Sequence, residues 1–334
     1  MNYKITVIMS NYNQAHFLPQ AIDSVLKQKT DFDVQLIISD DCSTKDNSVE
    51  VIKAYADKYP DKIKALLNTE NGRYLKNILR AKAVIKTPYF CLLDADDYWT
   101  DENYLQDAVN FLEANPDFTI YARNVICLSE QGEFTPYFSL DLQDADFDIE
   151  SYLNDKIVIT QTTGTVFRNI IFSKGIPDIM TNAIGTISER SFEGDAGRYI
   201  MHLKHGKAHF VNKASGVYRV LSSGIWSRLT DFEKHAINAQ CILDWNEYYD
   251  KKYNSFFLQK AYKEWKACLE YLENLTYARY YLKQDTQAIF FAVFEQLVKE
   301  HMVIEYPKIK KWKYKIMYKI YTCCREKLKR KGII

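Results

Sequence analysis

Short apolar runs and segments of helical period take turns along the first hundred residues. Ile5 to Met9, broken only by Thr6, reads as a buried strand, and Val34 to Ile38 as a second. Between them, Pro19 to Gln28 sets Ile22, Val25 and Leu26 at helical spacing. A helix holding Val49, Ile52 and Tyr55 follows, with Ser43 or Asp46 as its expected cap. Ile63–Leu67 then reads as strand, Tyr74–Ile85 as helix and Tyr89–Leu93 as strand. Such alternation predicts an α/β fold: a mostly parallel, Rossmann-like sheet sandwiched by helices, with ligands at the carboxyl ends of the strands. Three polar sets follow the strands, Ser10-Asn11-Tyr12-Asn13, Asp40-Asp41 and Asp94-Ala95-Asp96-Asp97, and all three are expected on one rim.

Beyond Trp99 the pattern loosens. A helix from Asp101 to Ala114 stops before Asn115-Pro116, and an acidic stretch runs from Asp141 to Glu150. Strand-like pieces return at Ile157–Thr160, Thr165–Phe167, Ala208–Val211 and Val217–Val220. From about Thr230 the chain reads as helical and rich in Tyr, Phe and Trp, without internal repeats. These changes suggest three segments, 1–100, 101–226 and a C-terminal helical region 227–334.

Composition narrows the function classes. Of 334 residues, 47% are hydrophobic and 26% charged, as in globular proteins and unlike disordered or collagenous ones. The longest apolar run, Ala288 to Phe294, is far short of the ~18 residues a membrane span needs. The first residues lack the apolar stretch of a secretory signal, so a cytoplasmic location is expected. Seven cysteines without a C-x-x-C pair read as free thiols. The net charge of +1 hides an asymmetry, because residues 307–334 carry +10 and the rest −9. Within that basic segment Trp312, Ile316, Ile320 and Cys324 recur at helical steps, the pattern of an amphipathic helix on an anionic membrane surface. That places the protein at the inner face of the plasma membrane; packing of the segment on the body is the other reading. No nucleic-acid-binding motif accompanies it.

With only 11 glycines, the chain holds neither G-x-G-x-x-G nor G-x-x-x-x-G-K-[ST], so phosphate needs another holder. The run Cys91-Leu-Leu-Asp-Ala-Asp-Asp-Tyr-Trp supplies one, since an apolar strand delivers Asp94 and Asp96 to its tip as oxygen ligands for a hard divalent cation. Such a cation bridges a diphosphate and neutralises a departing nucleoside diphosphate. Acids at a strand end also simply cap the next helix, which is the structural alternative.

The order of motifs resembles the GT-A glycosyltransferases of the family-two type, which are inverting enzymes using nucleotide-sugar donors. The likeness rests on Val-Ile-Met-Ser-Asn-Tyr-Asn-Gln at 7–14, Ile-Ile-Ser-Asp-Asp-Cys-Ser-Thr-Lys-Asp at 37–46, Asn71-Gly72 with Lys76-Asn77, and Leu-Leu-Asp-Ala-Asp-Asp-Tyr-Trp at 92–99. By that resemblance residues 1–100 bind the nucleotide sugar and 101–226 the acceptor. It implies a nucleobase and ribose pocket at Ser10, Tyr12 and Asp41, Asp94 near the ribose and phosphate, Asp40 and Lys76 among the donor-binding residues, and a metal carboxylate at Asp96 assisted by Asp94. Mg²⁺ or Mn²⁺ is the implied cofactor. Tyr12 has a face for stacking, and a carboxylate at Asp41 can accept the imide N–H of uracil.

In the second half, Ser-Phe-Glu-Gly-Asp-Ala at 191–196 opens a helix and resembles the segment carrying the family's general base, which aligns with Asp195, and Glu193 stands second. First-turn acids complementing a helix dipole are the alternative. Val217 to Ser227 resembles a Tyr-Arg-x-His segment, with Leu221 in place of the histidine that often completes the metal site. Arg219 is then a diphosphate contact or a tether between strand and acids, and Ser222 or Ser223 could stand in for the missing ligand. Gln161 to Arg168 reads as an acceptor-side wall, and His202, His205 and His209 as surface residues without carboxylate partners. The resemblance implies transfer from a UDP-sugar to a saccharide or lipid-linked saccharide in bacterial surface polysaccharide synthesis. The alternatives are a D-x-D phosphohydrolase, disfavoured by the late position of the D-x-D, and a non-catalytic nucleotide-binding scaffold.

Overall fold

A computed structural model describes residues 2–271 and 284–300. The basic segment 307–334, with Trp312 and its neighbours, lies outside the described residues. The chain divides into two compact units, one formed by residues 1–181 and 198–224 and the other by 182–197 and 225–334.

The first unit is built on a sheet whose leading strands are β1 (Tyr3–Asn11), β2 (Asp33–Asp40), β3 (Ile63–Leu67) and β4 (Tyr89–Leu92), each joined to the next by a helix. Those helices are α1 (Leu18–Leu26), α2 (Ser48–Lys58) and α3 (Arg73–Lys82). β1 runs parallel to both β2 and β4, and β2 parallel to β3, as β-α-β crossovers require. After β5 (Tyr98–Trp99) and α4 (Tyr104–Ala114) come β6 (Phe118–Ser129), β7 (Phe134–Pro136), β8 (Ala145–Phe147), α5 (Ile149–Leu153), β9 (Thr165–Arg168), the short α6 (Asp178–Ala183) and β10 (Lys207–Val220). The strand order is β3-β2-β1-β4-β9-β6-β10-β5, with β7 on β6 and β8 on β10. β9 is antiparallel to both β4 and β6, which makes the sheet mixed where the two halves meet.

Period-two alternation decides which face each strand buries. Ile5, Val7 and Met9 of β1 join Leu36 and Ile38 of β2 and Cys91 of β4 in one core with Leu18 and Ile22 of α1, Ile52 of α2 and Leu105 and Ala108 of α4. Ile8 and Ile37 are buried on the opposite face, where Ile78 of α3 is also buried.

Four expectations need correction. Ser43 does not cap α2, whose N-cap position is Asn47; Ser43 is held instead by Asp40, while Asp46 accepts the Ser48 N–H at 3.0 Å just before the helix. Ile157–Thr160 forms no strand, because Thr160 meets Thr165 Oγ1 at 2.9 Å and the Tyr199 hydroxyl at 3.1 Å rather than a neighbouring backbone. The pieces at 208–211 and 217–220 are one strand, β10, whose register shifts at Ala214 break the alternation in the sequence. His202 is no surface residue: it is fully buried against Phe167 at 4.5 Å between ring centroids, and His209 does have a carboxylate partner, Asp146, at 2.7 Å.

The second unit is helical. α8 (Asp231–Tyr248), α9 (Asn254–Tyr271) and α10 (Gln284–Lys299) bury Phe232, Trp265 and Phe290 among themselves. Thr230 caps α8 with a reciprocal bond to Glu233, so the onset read near Thr230 has a local chemical cause. Residues 182–197 belong to this unit, which carries the start of α7 (Asp195–Leu203). Among the described residues no helix is long and apolar enough to cross a membrane.

Candidate active site

The ends of β1, β2 and β4 share a rim because their register sets Asn11 opposite Asp40 and Ile8 opposite Leu92. Side chains then tie the three ends together. Ser10 Oγ donates to Asp94 Oδ1 at 3.2 Å, and Asn11 Nδ2 donates to Asp40 Oδ1 at 2.7 Å. The Asp41 amide donates to the Asn11 carbonyl at 2.9 Å. The chain leaves each strand sharply, and Asn13 and Cys42 adopt the left-handed region at φ 54° and 63°.

Asp40 and Asp41 are neighbours with different surroundings. Asp40 is turned inward: Ser43 donates to it from its hydroxyl at 2.6 Å and from its amide at 2.9 Å. Asp41 reaches toward the loop before α3 and accepts the Gly72 N–H at 2.8 Å, with Arg80 at 3.6 Å. Burial pushes the Asp41 carboxyl up, although the Gly72 amide and the Arg80 charge oppose that shift. Behind this edge Asn77 accepts from Ser39 Oγ at 2.6 Å and donates to the Ser39 carbonyl at 3.0 Å. Lys76 pairs with Glu70 at 2.5 Å on the exposed side of α3. Tyr12, 45% exposed, leaves its ring open to a partner.

The turn after β4 concentrates the acids. Asp97 is buried, where its carboxylate accepts the Thr163 hydroxyl and, at 2.8 Å, the Arg219 amide. Burial raises its pKa well above the usual carboxylate range, and the charges of Asp96 and Asp94 push the same way. Asp96 is also raised by burial, with Arg219 and the Gln14 side chain opposing. Arg219 uses its fork on the Asp96 carbonyl and on Gln20 Oε1 at 2.6 Å, and its guanidinium lies 4.8 Å from the ring centroids of both Phe17 and Tyr98. It is therefore a tether in this structure. Ser222, at the position considered for a substitute ligand, donates to Glu130 at 2.8 Å from both amide and hydroxyl.

The first unit thus brings Ser10, Tyr12, Asp40, Asp41, Asp94, Asp96 and Arg219 to one rim, with Lys76 on the helix beside it. Glu193 and Asp195 belong to the second unit, where Glu193 is buried and Asp195 is the first residue of α7. The segment read as an acceptor-side wall has other duties. Thr163 holds Asp97 and accepts the Trp99 indole N–H at 2.8 Å, and Arg168 donates to the Leu112 carbonyl at 2.6 Å, closing the C-terminal turn of α4. Gln20 of α1 carries no signal in the sequence, whereas Gln14 and Thr163 lie within the segments 7–14 and 161–168, where nothing marks them individually. Asn77 stood beside Lys76 in a quoted motif, and that was its signal.

Asp94 and Asp96 are hard oxygen donors placed two residues apart in an acid-rich turn, where the guanidinium of Arg219 hydrogen-bonds the Asp96 carbonyl. The residues present fit a divalent ion on this account. Among the described residues no group of three or more candidate ligand side chains exists, so phosphate oxygens and water would complete the coordination.

Comparison with known proteins adds an independent line. The sequence model described as Glycosyl transferase family 2 matches residues 6–175. The Mycobacterium tuberculosis protein Rv1520 is 27% identical over 231 residues, which are 69% of this chain and 63% of that protein's length. The chain thus spans less than two thirds of that relative. The minor teichoic acid biosynthesis protein GgaB of Bacillus subtilis is 33% identical over 113 residues, 34% of this chain and 12% of its own. A solved structure of S. aureus TarS in complex with UDP-GlcNAc superposes with a TM-score of 0.57 at 15% identity, covering 89% of this chain and 81% of that one, and the shared fold is GT-A.

Proposed function

The chain belongs to glycosyl transferase family 2, and from that premise we propose that it moves a sugar with inversion from a UDP-sugar to a saccharide or lipid-linked saccharide. Membership removes the phosphohydrolase alternative. The observation that carries the reading is the shared rim, where β1, β2 and β4 deliver Tyr12, Asp41, Asp94 and Asp96 side by side.

Tyr12 offers its ring to the base, and Asp41 accepts an imide N–H, a match to uracil rather than to cytosine. Ser10 and Asp94 take the ribose and the first phosphate, and Lys76 the phosphate side nearest α3. Asp40, turned inward, shapes the β2 turn. Asp94 and Asp96 would hold Mg²⁺ or Mn²⁺, which when bound supplies Lewis-acid neutralisation of the leaving diphosphate. Asp195, with Glu193 behind it, takes the proton of the acceptor hydroxyl while that oxygen bonds to the anomeric carbon and the bond to the diphosphate oxygen breaks. The UDP-GlcNAc bound to TarS supports a UDP-sugar donor, and the teichoic acid biosynthesis in the name of GgaB supports a role in polymer synthesis. Segment 307–334, at about 1 kcal/mol per basic residue near an anionic surface, would keep the enzyme beside lipid-linked acceptors.

The test is release of nucleoside diphosphate from UDP-, GDP-, CDP-, ADP- and dTDP-sugars with Mn²⁺, a reaction that needs only water as acceptor. Turnover of a UDP-sugar, lost in Asp195→Asn, supports the reading; turnover of none of them contradicts it.

A further inference from the structure

Residues 188–194 lie in the second unit as a loop that leads into α7, whose first turn, 195–197, belongs to the same unit. The loop is gripped at Ser191, which is 1% exposed. Its hydroxyl donates to Asp244 of α8, and its carbonyl accepts the indole N–H of Trp245, the next residue of that helix, at 2.5 Å. Ser188 donates to the same carboxylate, and the Ser191 amide closes the turn on the Ser188 carbonyl at 3.0 Å. Gln240, one turn earlier on α8, donates to the other Asp244 oxygen at 3.0 Å and fixes its rotamer. From the far side, Gly197 passes so near the Ser191 carbonyl that any Cβ there would press into it. The two ends of the segment holding Glu193 and Asp195 are therefore set by α8 and by a glycine.

We propose that Asp244 and Trp245 are positioning residues for the proton-accepting carboxylate, acting through Ser191 to hold the 193–195 backbone where Asp195 works. The inference rests on the assignment of Asp195 as base. Neither residue touches a reacting group. They set the angle at which the loop enters α7, and displacing a catalytic group by ~1 Å costs about 100-fold in rate. An ordinary buried hydrogen bond would serve stability alone and would leave turnover per folded molecule unchanged.

The test uses the full chain with Asp244→Ala, Asp244→Asn, Ser191→Ala and Trp245→Phe. UDP release from UDP-glucose, UDP-galactose and UDP-GlcNAc, UDP affinity by calorimetry and amide hydrogen exchange at residues 192–196 are measured together. The expected result is kcat lowered roughly 10- to 100-fold in Asp244→Ala, with KM for the donor and UDP affinity unchanged and most of the rate restored by Asp244→Asn, whose amide oxygen still accepts from Ser191. Exchange at 192–196 should rise in Ser191→Ala, a hydroxyl deletion that spares the fold if Asp244→Ala does not. Wild-type kcat in Asp244→Ala and Trp245→Phe, or unchanged exchange in Ser191→Ala, would overturn the inference. Wild-type turnover in Asp195→Asn would instead defeat the base assignment itself.

Discussion

Arg219 binds the backbone carbonyl of Asp96, and its own amide binds the carboxylate of Asp97. One residue of β10 thereby fixes two successive positions of the acidic turn after β4. The guanidinium, packed against Phe17 and Tyr98, keeps its charge close to Asp96 while the carbonyl takes its hydrogen bond.

Replacing Arg219 should therefore act on metal and nucleotide together. Arg219→Ala removes a charge-assisted bond and the packing of its stem, so a loss of about 1–3 kcal/mol in stability is expected. Nucleotide affinity should fall further than stability explains, because the turn loses its register. Arg219→Lys keeps the charge without the planar fork and should recover stability better than affinity. Thermal unfolding and calorimetric titration on both variants check this.

Asp97 gives a sharper contrast. In Asp97→Ala the Thr163 hydroxyl and the Arg219 amide lose their acceptor inside the protein, at a cost of about 1–3 kcal/mol. Asp97→Asn keeps an oxygen acceptor and should cost less. Urea denaturation of the two variants should rank them in that order, and equal stabilities would contradict the tether.

Acid should destabilise the protein through His202. Burial among Phe90, Phe167 and Phe172 lowers its pKa to about 3, and its Nδ1 faces the Arg198 carbonyl at 2.7 Å. The unfolded chain binds a proton near the ordinary value of about 6.5 whereas the folded one does not, so the contribution is complete above pH 6.5 and is lost as pH falls toward about 3. The slope from this one site is about 1.4 kcal/mol per pH unit in that window. His202→Gln, which cannot titrate, should flatten the pH dependence of unfolding between those values.

The site of the first unit was legible because strand ends carry their chemistry in consecutive residues. Ser10 to Asn13, Asp40-Asp41 and Asp94 to Asp97 each follow an apolar run, and parallel pairing alone suffices to set them side by side. The supports were hidden for the opposite reason. Thr163 lies 66 residues from Asp97 and Arg219 lies 122 from it, so neither partner shows in any local pattern. β10 reads as two pieces because its bulges break the alternation, and β5 leaves no trace because two residues make no pattern. His202 reads as a surface residue because Gly206 reads as the end of its helix and no carboxylate stands near it in sequence, and only the packing of α7 shows that its face is turned into the core.

The proposed function requires the rim at Tyr12, Asp41, Asp94 and Asp96 to hold a nucleoside diphosphate through a divalent cation. Calorimetric titration of UDP, GDP, CDP, ADP and dTDP, each with and without Mn²⁺, into wild type and Asp96→Ala addresses it directly. UDP binding is expected to require Mn²⁺ and to fall at least about tenfold in Asp96→Ala, a change of about 1.4 kcal/mol. Binding of no nucleotide, or UDP binding indifferent to both Mn²⁺ and Asp96, would contradict it.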